Sequence, residues 1–282
     1  MIPAIWTGIL AEEPLPQALR ALAGLGWRAF ELSTEHIVAM DQDPEPKARV
    51  DETVQVLADL GAVMPQAHAL LGAEVAHPDP ERRRADLETL ERHLRLCAGL
   101  GVRVAVIHPG NGGGTWTTGE GLRRLRALNI EAFTRLGDLA EELGVAIGIE
   151  NTMDVPARRG RAYGAYPHEL RDLIATVGSP ALGITLDTSH ANCQRLDLPA
   201  AVREIGDRLL ATHISDNDGS GDQHRMPGIG KIDWLPLAAA LREIGYGGLF
   251  DLEIPGERHP VREILEMKLR HAREVTEWLV GG

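Results

Sequence analysis

The sequence predicts an α/β fold, a single (β/α)8 TIM barrel that occupies residues 1–282 as one domain. Short apolar runs alternate with longer amphipathic stretches from end to end, and no linker or low-complexity segment interrupts the alternation. Alternating strands and helices are typical of a parallel sheet. The alternation occurs eight times within 282 residues, which favours a closed barrel over an open doubly wound sheet.

The candidate strands are rich in Val, Ile, Ala and Leu, as expected for parallel strands that are buried on both faces. They are Ile2–Trp6, Ala29–Leu32, Ala62–Pro65, Val102–Ile107, Ala146–Glu150, Leu182–Leu186, Leu210–Ile214 and Leu249–Ile254. The candidate helices are Leu15–Leu25, Lys47–Leu60, Pro80–Leu100, Gly119–Leu143, Pro167–Val177, Leu198–Asp207, Asp233–Ile244 and Pro260–Val280. A glycine follows each of the first four helices, which is a typical C-terminal cap.

Composition narrows the class of function. Acidic residues number 41 and basic residues 29, so the formal net charge is −12, and nucleic acid or an anionic membrane is not the expected partner. The two cysteines, Cys97 and Cys193, cannot form a disulfide framework. No apolar run is long enough to span a membrane, and the N-terminus lacks the pattern of a signal peptide. We expect a cytoplasmic protein, and the sequence leaves a homo-oligomer open.

Ionisable side chains recur at the C-terminal ends of the candidate strands, where TIM barrels carry their active sites. Glu150, Asp187 and Glu253 end strands five, six and eight, and His213 lies near the end of strand seven. Three carboxylates in one barrel mouth repel one another unless a positive charge lies between them, and no Lys or Arg occurs in these strands. The sequence therefore predicts a divalent metal site with these four residues as ligands, and such ligands suit Mn, Co, Zn, Fe or Mg.

Further polar residues are predicted at the same end of the barrel. The candidate additional ligands for metal or substrate are His68, His108, His190, Asp222 and His224. Each is a weak signal alone, because a histidine at a strand end is more often a hydrogen-bonded structural residue. The indole of Trp116 is a candidate cover for the apolar face of a sugar, although its glycine-rich segment also fits an ordinary surface loop.

A second candidate for substrate capture is the arginine cluster that follows Glu150. Arg158, Arg159 and Arg161 have the chemistry to bind a phosphate or a carboxylate. The alternative interpretation is a solvated run of charges.

The chain resembles the xylose isomerase-like TIM barrels, a superfamily of sugar isomerases and epimerases, inosose and dehydroshikimate dehydratases, and endonuclease IV. The motifs that carry the resemblance cover nearly the whole chain: GWRAFELS, HPGN, IENT, LDTSH, HISDND, PGIGKIDW and DLEIPG. In the sugar-acting members, Glu, Asp, His and Glu at the ends of strands five to eight hold one divalent ion, and these positions match Glu150, Asp187, His213 and Glu253. The resemblance implies that the two glutamates transfer the proton and that Arg225 lies beside the substrate.

The resemblance to endonuclease IV implies a different outcome. That enzyme binds three zinc ions through five further ligands, and this sequence offers candidates for all five: His68, His108, His190, Asp222 and His224. A site with two or three ions is therefore the alternative to a single ion. The segment after strand two argues against DNA, because it carries Glu35, Asp41, Asp43 and Glu45 against one Lys, and a loop that grips a phosphate backbone should not be acidic.

The expected function is a divalent-metal-dependent isomerase or epimerase of a sugar or a sugar phosphate. Such an enzyme transfers a proton at a carbon next to a carbonyl, through an enediolate that the metal stabilises. The alternatives are an endonuclease IV-like zinc phosphodiesterase, a dehydratase of the inosose or dehydroshikimate type, and a non-catalytic barrel.

Overall fold

The computed structural model describes residues 1–112, 119–154 and 161–281. Its centre is a closed barrel of eight parallel strands, in which each strand pairs with the next and the eighth pairs with the first. The strands are β1 (Ile2–Trp6), β2 (Ala29–Leu32), β3 (Val63–His68), β4 (Val104–Ile107), β5 (Ala146–Glu150), β6 (Leu182–Asp187), β7 (Leu209–Ile214) and β8 (Leu249–Leu252). The predicted fold class is confirmed.

The helices of the described ranges surround this barrel. They are α1 (Leu15–Gly24), α2 (Thr34–Asp41), α3 (Pro46–Leu60), α4 (Pro80–Leu100), α5 (Gly119–Leu143), α6 (Pro167–Val177), α7 (Thr188–Cys193), α8 (Leu198–Ile205), α9 (Trp234–Glu243) and α10 (Arg262–Gly281). Short 3-10 helices cover Thr7–Leu10, Gly206–Arg208 and Pro255–Glu257. The core lies between strands and helices, where side chains such as Leu22 and Phe30 are fully buried. Gly61 and Gly101 cap α3 and α4 in the left-handed conformation, as predicted.

The structure corrects the C-terminal ends of three predicted strands, of which β6 is one residue longer than predicted and ends at Asp187. The sequence places His68 after strand three, but β3 continues through Pro65 and ends at His68. Proline lacks an N–H for the ladder, and it is tolerated here because the pairing of β2 with β3 shifts register at this point. At the other end of the barrel order, β8 ends at Leu252, so Glu253 lies just past the strand.

Two short helices at the C-terminal end of the barrel were not predicted. Each begins at a side chain that caps the helix: Ser33 accepts a hydrogen bond from His36 N–H at the start of α2, and Asp187 accepts one from His190 N–H at the start of α7. The acidic segment after strand two is thus largely a helix rather than a loop. Within it, Asp41 forms an ion pair with Arg92 at 3.0 Å, which offsets part of the negative charge.

None of the helices in the described ranges is both long enough and apolar enough to cross a membrane.

Candidate metal centre

The ends of β5 to β8 bring together the four residues predicted as metal ligands. One ligand atom from each of Glu150, Asp187, His213 and Glu253 lies within 4.8 Å of the others; we call this set the strand-end group. The sheet fixes the positions directly, since Asp187 and His213 are partners in the pairing of β6 with β7. The residue just past β8 is also held, because the N–H of Glu253 donates to the carbonyl of Ile214 at 3.2 Å.

His213 lies at the centre of this group. Its Nδ1 is 3.2 Å from Oε2 of Glu150 and 3.5 Å from Oε2 of Glu253. Neither contact has the geometry of a hydrogen bond. Within the described ranges, His213 Nδ1 and Asp187 Oδ2 are therefore buried atoms without a hydrogen-bond partner. A buried polar atom without a partner is costly, so these two atoms, aimed into a group of carboxylates, fit the donor set of a divalent cation.

The electrostatics of the strand-end group depend on histidines. No Lys or Arg of the described ranges forms an ion pair with its carboxylates. Burial raises the pKa of Glu150, but the positive charges of His213 and His108 outweigh burial and hold that pKa well below its usual value. Burial lowers the pKa of His213, and the charges of Glu31 and Glu150 raise it well above its usual value. The group thus attracts positive charge strongly, as a metal site must.

Two of the additional histidines surround Glu150. His108 Nε2 lies 3.0 Å from Glu150 Oε2, and His68 Nε2 lies 3.5 Å from the same oxygen. The ring of His68 also stacks on that of His213, with centroids 5.5 Å apart. The structure therefore brings both predicted residues to the edge of the strand-end group.

The other three additional residues form a second cluster, here called the rim group: His190, Asp222 and His224. Asp222 Oδ2 lies 2.8 Å from His224 Nε2 and 3.3 Å from His190 Nε2. Burial raises the pKa of Asp222, but the two imidazoles lower it far more. Burial lowers the pKa of His224, and the hydrogen bond to Asp222 raises it to about 10. Ligand atoms of His190 and His224 also lie within 4.8 Å of one on Asp187, so the two groups adjoin.

The loop that carries His224 is held in a tight conformation. His224 has φ of 45°, a left-handed backbone that non-glycine residues rarely adopt. Its carbonyl accepts a hydrogen bond from Gly256 N–H at 3.1 Å. A Cβ at position 256 would lie 2.1 Å from the carbonyl oxygen of Gln223 and 2.7 Å from that of His224. Glycine is therefore required for the loop to approach the segment after β8.

The buried carboxylate of Asp216 anchors the neighbouring turn. Its Oδ1 accepts from the N–H groups of Asn217 and Ile232 at 2.9 and 3.2 Å. Its Oδ2 accepts from Gly228 N–H and from the indole N–H of Trp234 at 2.9 and 3.0 Å. The turn PGIGKIDW thus closes on one carboxylate whose lone pairs are well satisfied.

The described arginines that were predicted to contact substrate are not among the residues that surround the strand-end group. Arg225 is half exposed, and its Nε lies 3.7 Å from Glu257 Oε1, beside the segment after β8. Arg161 forms an ion pair with Glu169 at 2.6 Å rather than standing alone. Three of the candidate substrate contacts lie outside the described ranges: Trp116, Arg158 and Arg159.

Sequence reasoning missed two carboxyl groups beneath the strand-end group. Glu31 on β2 and Asp251 on β8 are fully buried, and each has an oxygen within 4.8 Å of a nitrogen of His213. Burial and the charge of Glu31 raise the pKa of Asp251 well above its usual value. Asp251 could have been found from the two-residue period of a strand, which places it on the same face as Glu253.

The comparisons with known proteins agree with this architecture. The family model for the xylose isomerase-like TIM barrel matches residues 19–279, and the chain belongs to that family. An uncharacterized protein of Methanocaldococcus jannaschii is 29% identical over 196 residues, which cover 68% of this chain and 65% of that relative, just under two thirds. A ketose 3-epimerase of Arthrobacter globiformis is 27% identical over 258 residues, which cover 86% of this chain and 78% of that enzyme.

The solved structures show the same fold. The crystal structure of a D-psicose 3-epimerase in the presence of D-fructose has a TM-score of 0.81 at 20% identity, with complete coverage of both chains. At this level of identity the likeness establishes the fold alone. The predicted family is therefore confirmed, and the expectation of an isomerase or epimerase agrees with the names of the sequence relatives.

Proposed function

We propose that this protein is a metal-dependent isomerase or epimerase that transfers a proton at a carbon next to the carbonyl of a small sugar or sugar phosphate. The observation that supports it most is that Glu150 and Glu253 converge on one imidazole nitrogen. Their Oε2 atoms lie 3.2 and 3.5 Å from His213 Nδ1. The names of the ketose 3-epimerase and of a D-psicose 3-epimerase from Enterocloster bolteae, 32% identical over 130 residues, support the same class of substrate.

The strand-end group would hold one divalent ion, with Mn, Zn, Co and Mg as candidates. Its donors are three carboxylates and one imidazole, a mixture that all of these ions accept. When bound, such an ion acts as a Lewis acid on a carbonyl oxygen and offsets the negative charge that develops there.

The two glutamates would move the proton. Glu150 ends β5 and Glu253 follows β8, so their carboxylates enter the site from strands that are not neighbours. One glutamate, as a carboxylate, would accept the proton from the substrate carbon, and the other, as a carboxylic acid, would donate its proton to the opposite face or to the neighbouring carbon. Proton transfer by both residues requires that substrate reach the space between them.

The rim group and His108 would orient the substrate. A polyol presents several hydroxyl groups, and each pairs well with an imidazole or a carboxylate at hydrogen-bond distance. His190, Asp222 and His224 line the partly exposed side of the strand-end group, where a sugar would enter. Arg225, beside Glu257, remains a proposed substrate contact. Trp116 remains a proposed contact on the sequence alone.

The test is solvent exchange. A panel of ketoses and ketose phosphates is incubated in D2O with the protein and each candidate metal, and deuterium uptake next to the carbonyl is followed by NMR. We expect uptake that depends on the added ion and is lost on chelation. Binding of an ion without deuterium uptake by any sugar in the panel would contradict the proposal.

A second candidate function is a polynuclear phosphodiesterase. Its support is the presence of two further possible ligand sets in the same mouth, one of His68, Glu150 and His213 and another of Asp187, His190 and His224. The net charge of −12 opposes a DNA substrate. Metal analysis, anomalous scattering and incision of a duplex with an abasic site distinguish the two: three ions and incision without sugar exchange would replace the first proposal.

A further inference from the structure

Glu31 occupies the space behind His213, on the side away from the strand-end group. Its Oε1 lies 3.0 Å from Nε2 of His213, and both side chains are fully buried. The other ring nitrogen, Nδ1, faces Glu150 and Glu253. The two nitrogens of one imidazole therefore face two different sets of carboxylates, one behind the ring and one in front.

This arrangement decides which nitrogen carries the proton. A carboxylate only accepts hydrogen bonds, so Glu31 holds a proton on Nε2. In the neutral imidazole, the lone pair then belongs to Nδ1, which is the nitrogen that faces the strand-end group. The same hydrogen bond restricts rotation of the ring about its bond to Cβ, so the lone pair keeps its direction.

The position of Glu31 is otherwise unfavourable. β2 is an apolar strand whose four residues are all buried, and Glu31 is the charged member. The nearby Asp251 is also fully buried, with an oxygen within 4.8 Å of one on Glu31, and two ionised carboxylates this close would repel each other. Apolar residues would be the ordinary filling of a barrel core. A costly polar group that persists there and contacts a candidate ligand points to a functional role.

We propose that Glu31 is a positioning residue that orients His213 and keeps its Nδ1 available to a divalent ion. This inference rests on the metal site of the proposed function and is independent of which substrate the protein uses. A partner on the far nitrogen of a metal-bound histidine commonly contributes a factor of 10 to 100 in metal affinity.

The experiment measures metal affinity in Glu31→Gln and Glu31→Leu, with Mn²⁺ and Zn²⁺ as the probes in calorimetry and chelator competition. Gln keeps an oxygen acceptor for Nε2 but loses the charge, whereas Leu removes both. We expect affinity to fall about 10-fold in E31Q and about 100-fold in E31L. Circular dichroism confirms that each variant is folded, and E31Q keeps the test informative if E31L does not fold.

Glu257→Gln is the matched control. Glu257 is a buried carboxylate near the same end of the barrel, but it pairs with Lys268 and Arg225 rather than with a histidine. We expect E257Q to bind the ion as the wild type does, which separates the loss of the Glu31 contact from a general loss of buried charge.

Histidine NMR of the zinc-loaded protein supplies a second readout. In the wild type we expect a slowly exchanging Nε2–H proton on His213, and in E31L we expect that signal to exchange rapidly. Unchanged affinity and an unchanged signal in both Glu31 variants would overturn the inference and leave the proposed function intact. Failure of the wild type itself to bind Mn²⁺ or Zn²⁺ would instead overturn the metal site on which both proposals rest.

Discussion

The strand-end group and the rim group adjoin, but the chain holds them in different ways. Three of the four strand-end residues belong to barrel strands and are nearly inaccessible to solvent. The rim residues come from α7 and from the loop after β7, and their side chains are 12–22% exposed. Strand pairing fixes the backbone at the strand-end residues, whereas in the rim group the side chain of Asp222 joins the two histidines. The chain thus separates candidate metal donors that barrel strands carry from a partly exposed group that side-chain and loop contacts hold in place.

The largest expected effect is on the strand-end group. Replacing Glu150 or Glu253 by Gln removes a carboxylate that we propose transfers the proton, so turnover should fall about 10²–10⁴-fold in each variant. Deuterium uptake from solvent is the measurement. Deuterium uptake at the wild-type rate in both variants would show that other residues transfer the proton.

The next prediction distinguishes the two groups by the amount of metal that the protein retains when each is altered. A double variant, His190→Asn with His224→Asn, should still retain one ion per chain, because the strand-end donors are unchanged. His213→Asn should lose that ion, since it removes the central nitrogen donor. Elemental analysis after gel filtration measures both. Equal loss of metal in the two proteins would mean that the groups form one inseparable site.

A smaller effect is expected from the backbone that supports the rim. Gly256→Ala places a Cβ against the carbonyls of Gln223 and His224, and overpacking of this kind should cost about 2 kcal/mol of unfolding free energy. Turnover should fall more than metal affinity, because the loop carries the rim group. Gly247→Ala is the control, since a Cβ there meets no atom within 4 Å. Equal effects of the two substitutions would exclude the close approach as the cause.

The smallest effect concerns a histidine outside the site. His93 on α4 is buried, and burial lowers its pKa to about 4, while the nearest carboxylate oxygen, on Asp41, is 4.0 Å away. The unfolded chain therefore binds a proton between about pH 6.5 and 4 that the folded chain does not, and stability falls as pH falls through this window. His93→Leu should reduce this loss by about 1 kcal/mol per pH unit.

Urea titrations of the wild type and of His93→Leu at pH 7 and pH 5 measure that difference. Parallel loss of stability in the two proteins would mean that His93 is protonated at its ordinary pKa. The carboxylates around His213 would then have less to overcome than we infer, because burial alone would not lower the pKa of a histidine in this chain.

That the four strand-end residues converge could be predicted from the sequence, because the relevant information is local. A carboxylate such as Glu150 or Asp187 directly after an apolar run identifies both the strand end and the side of the barrel. The same reasoning missed Glu31, because a single charge within a four-residue apolar run gives no direction from the sequence alone. Its role depends on a contact with His213, 182 positions away, which only the closed barrel creates.

The predicted ends of β3 and the missing helices α2 and α7 were wrong for a similar reason. The continuation of β3 past Pro65 depends on a register shift against β2, which no local pattern encodes. The helices α2 and α7 are only eight and six residues long. They are stabilised by caps and by neighbours in the tertiary structure more than by an amphipathic period.

The pairing of Asp216 with Arg225 has a consequence for how this barrel can change. Two backbone hydrogen bonds, of 2.7 and 2.9 Å, join these residues and close the intervening loop at its base. The chain therefore enters and leaves the loop at a fixed point, while the tip of the loop is held by its contacts with Gly256 and His190. A graft of this loop from a relative would therefore have to keep two features of this chain: the pairing of Asp216 with Arg225 at its base and the glycine at position 256.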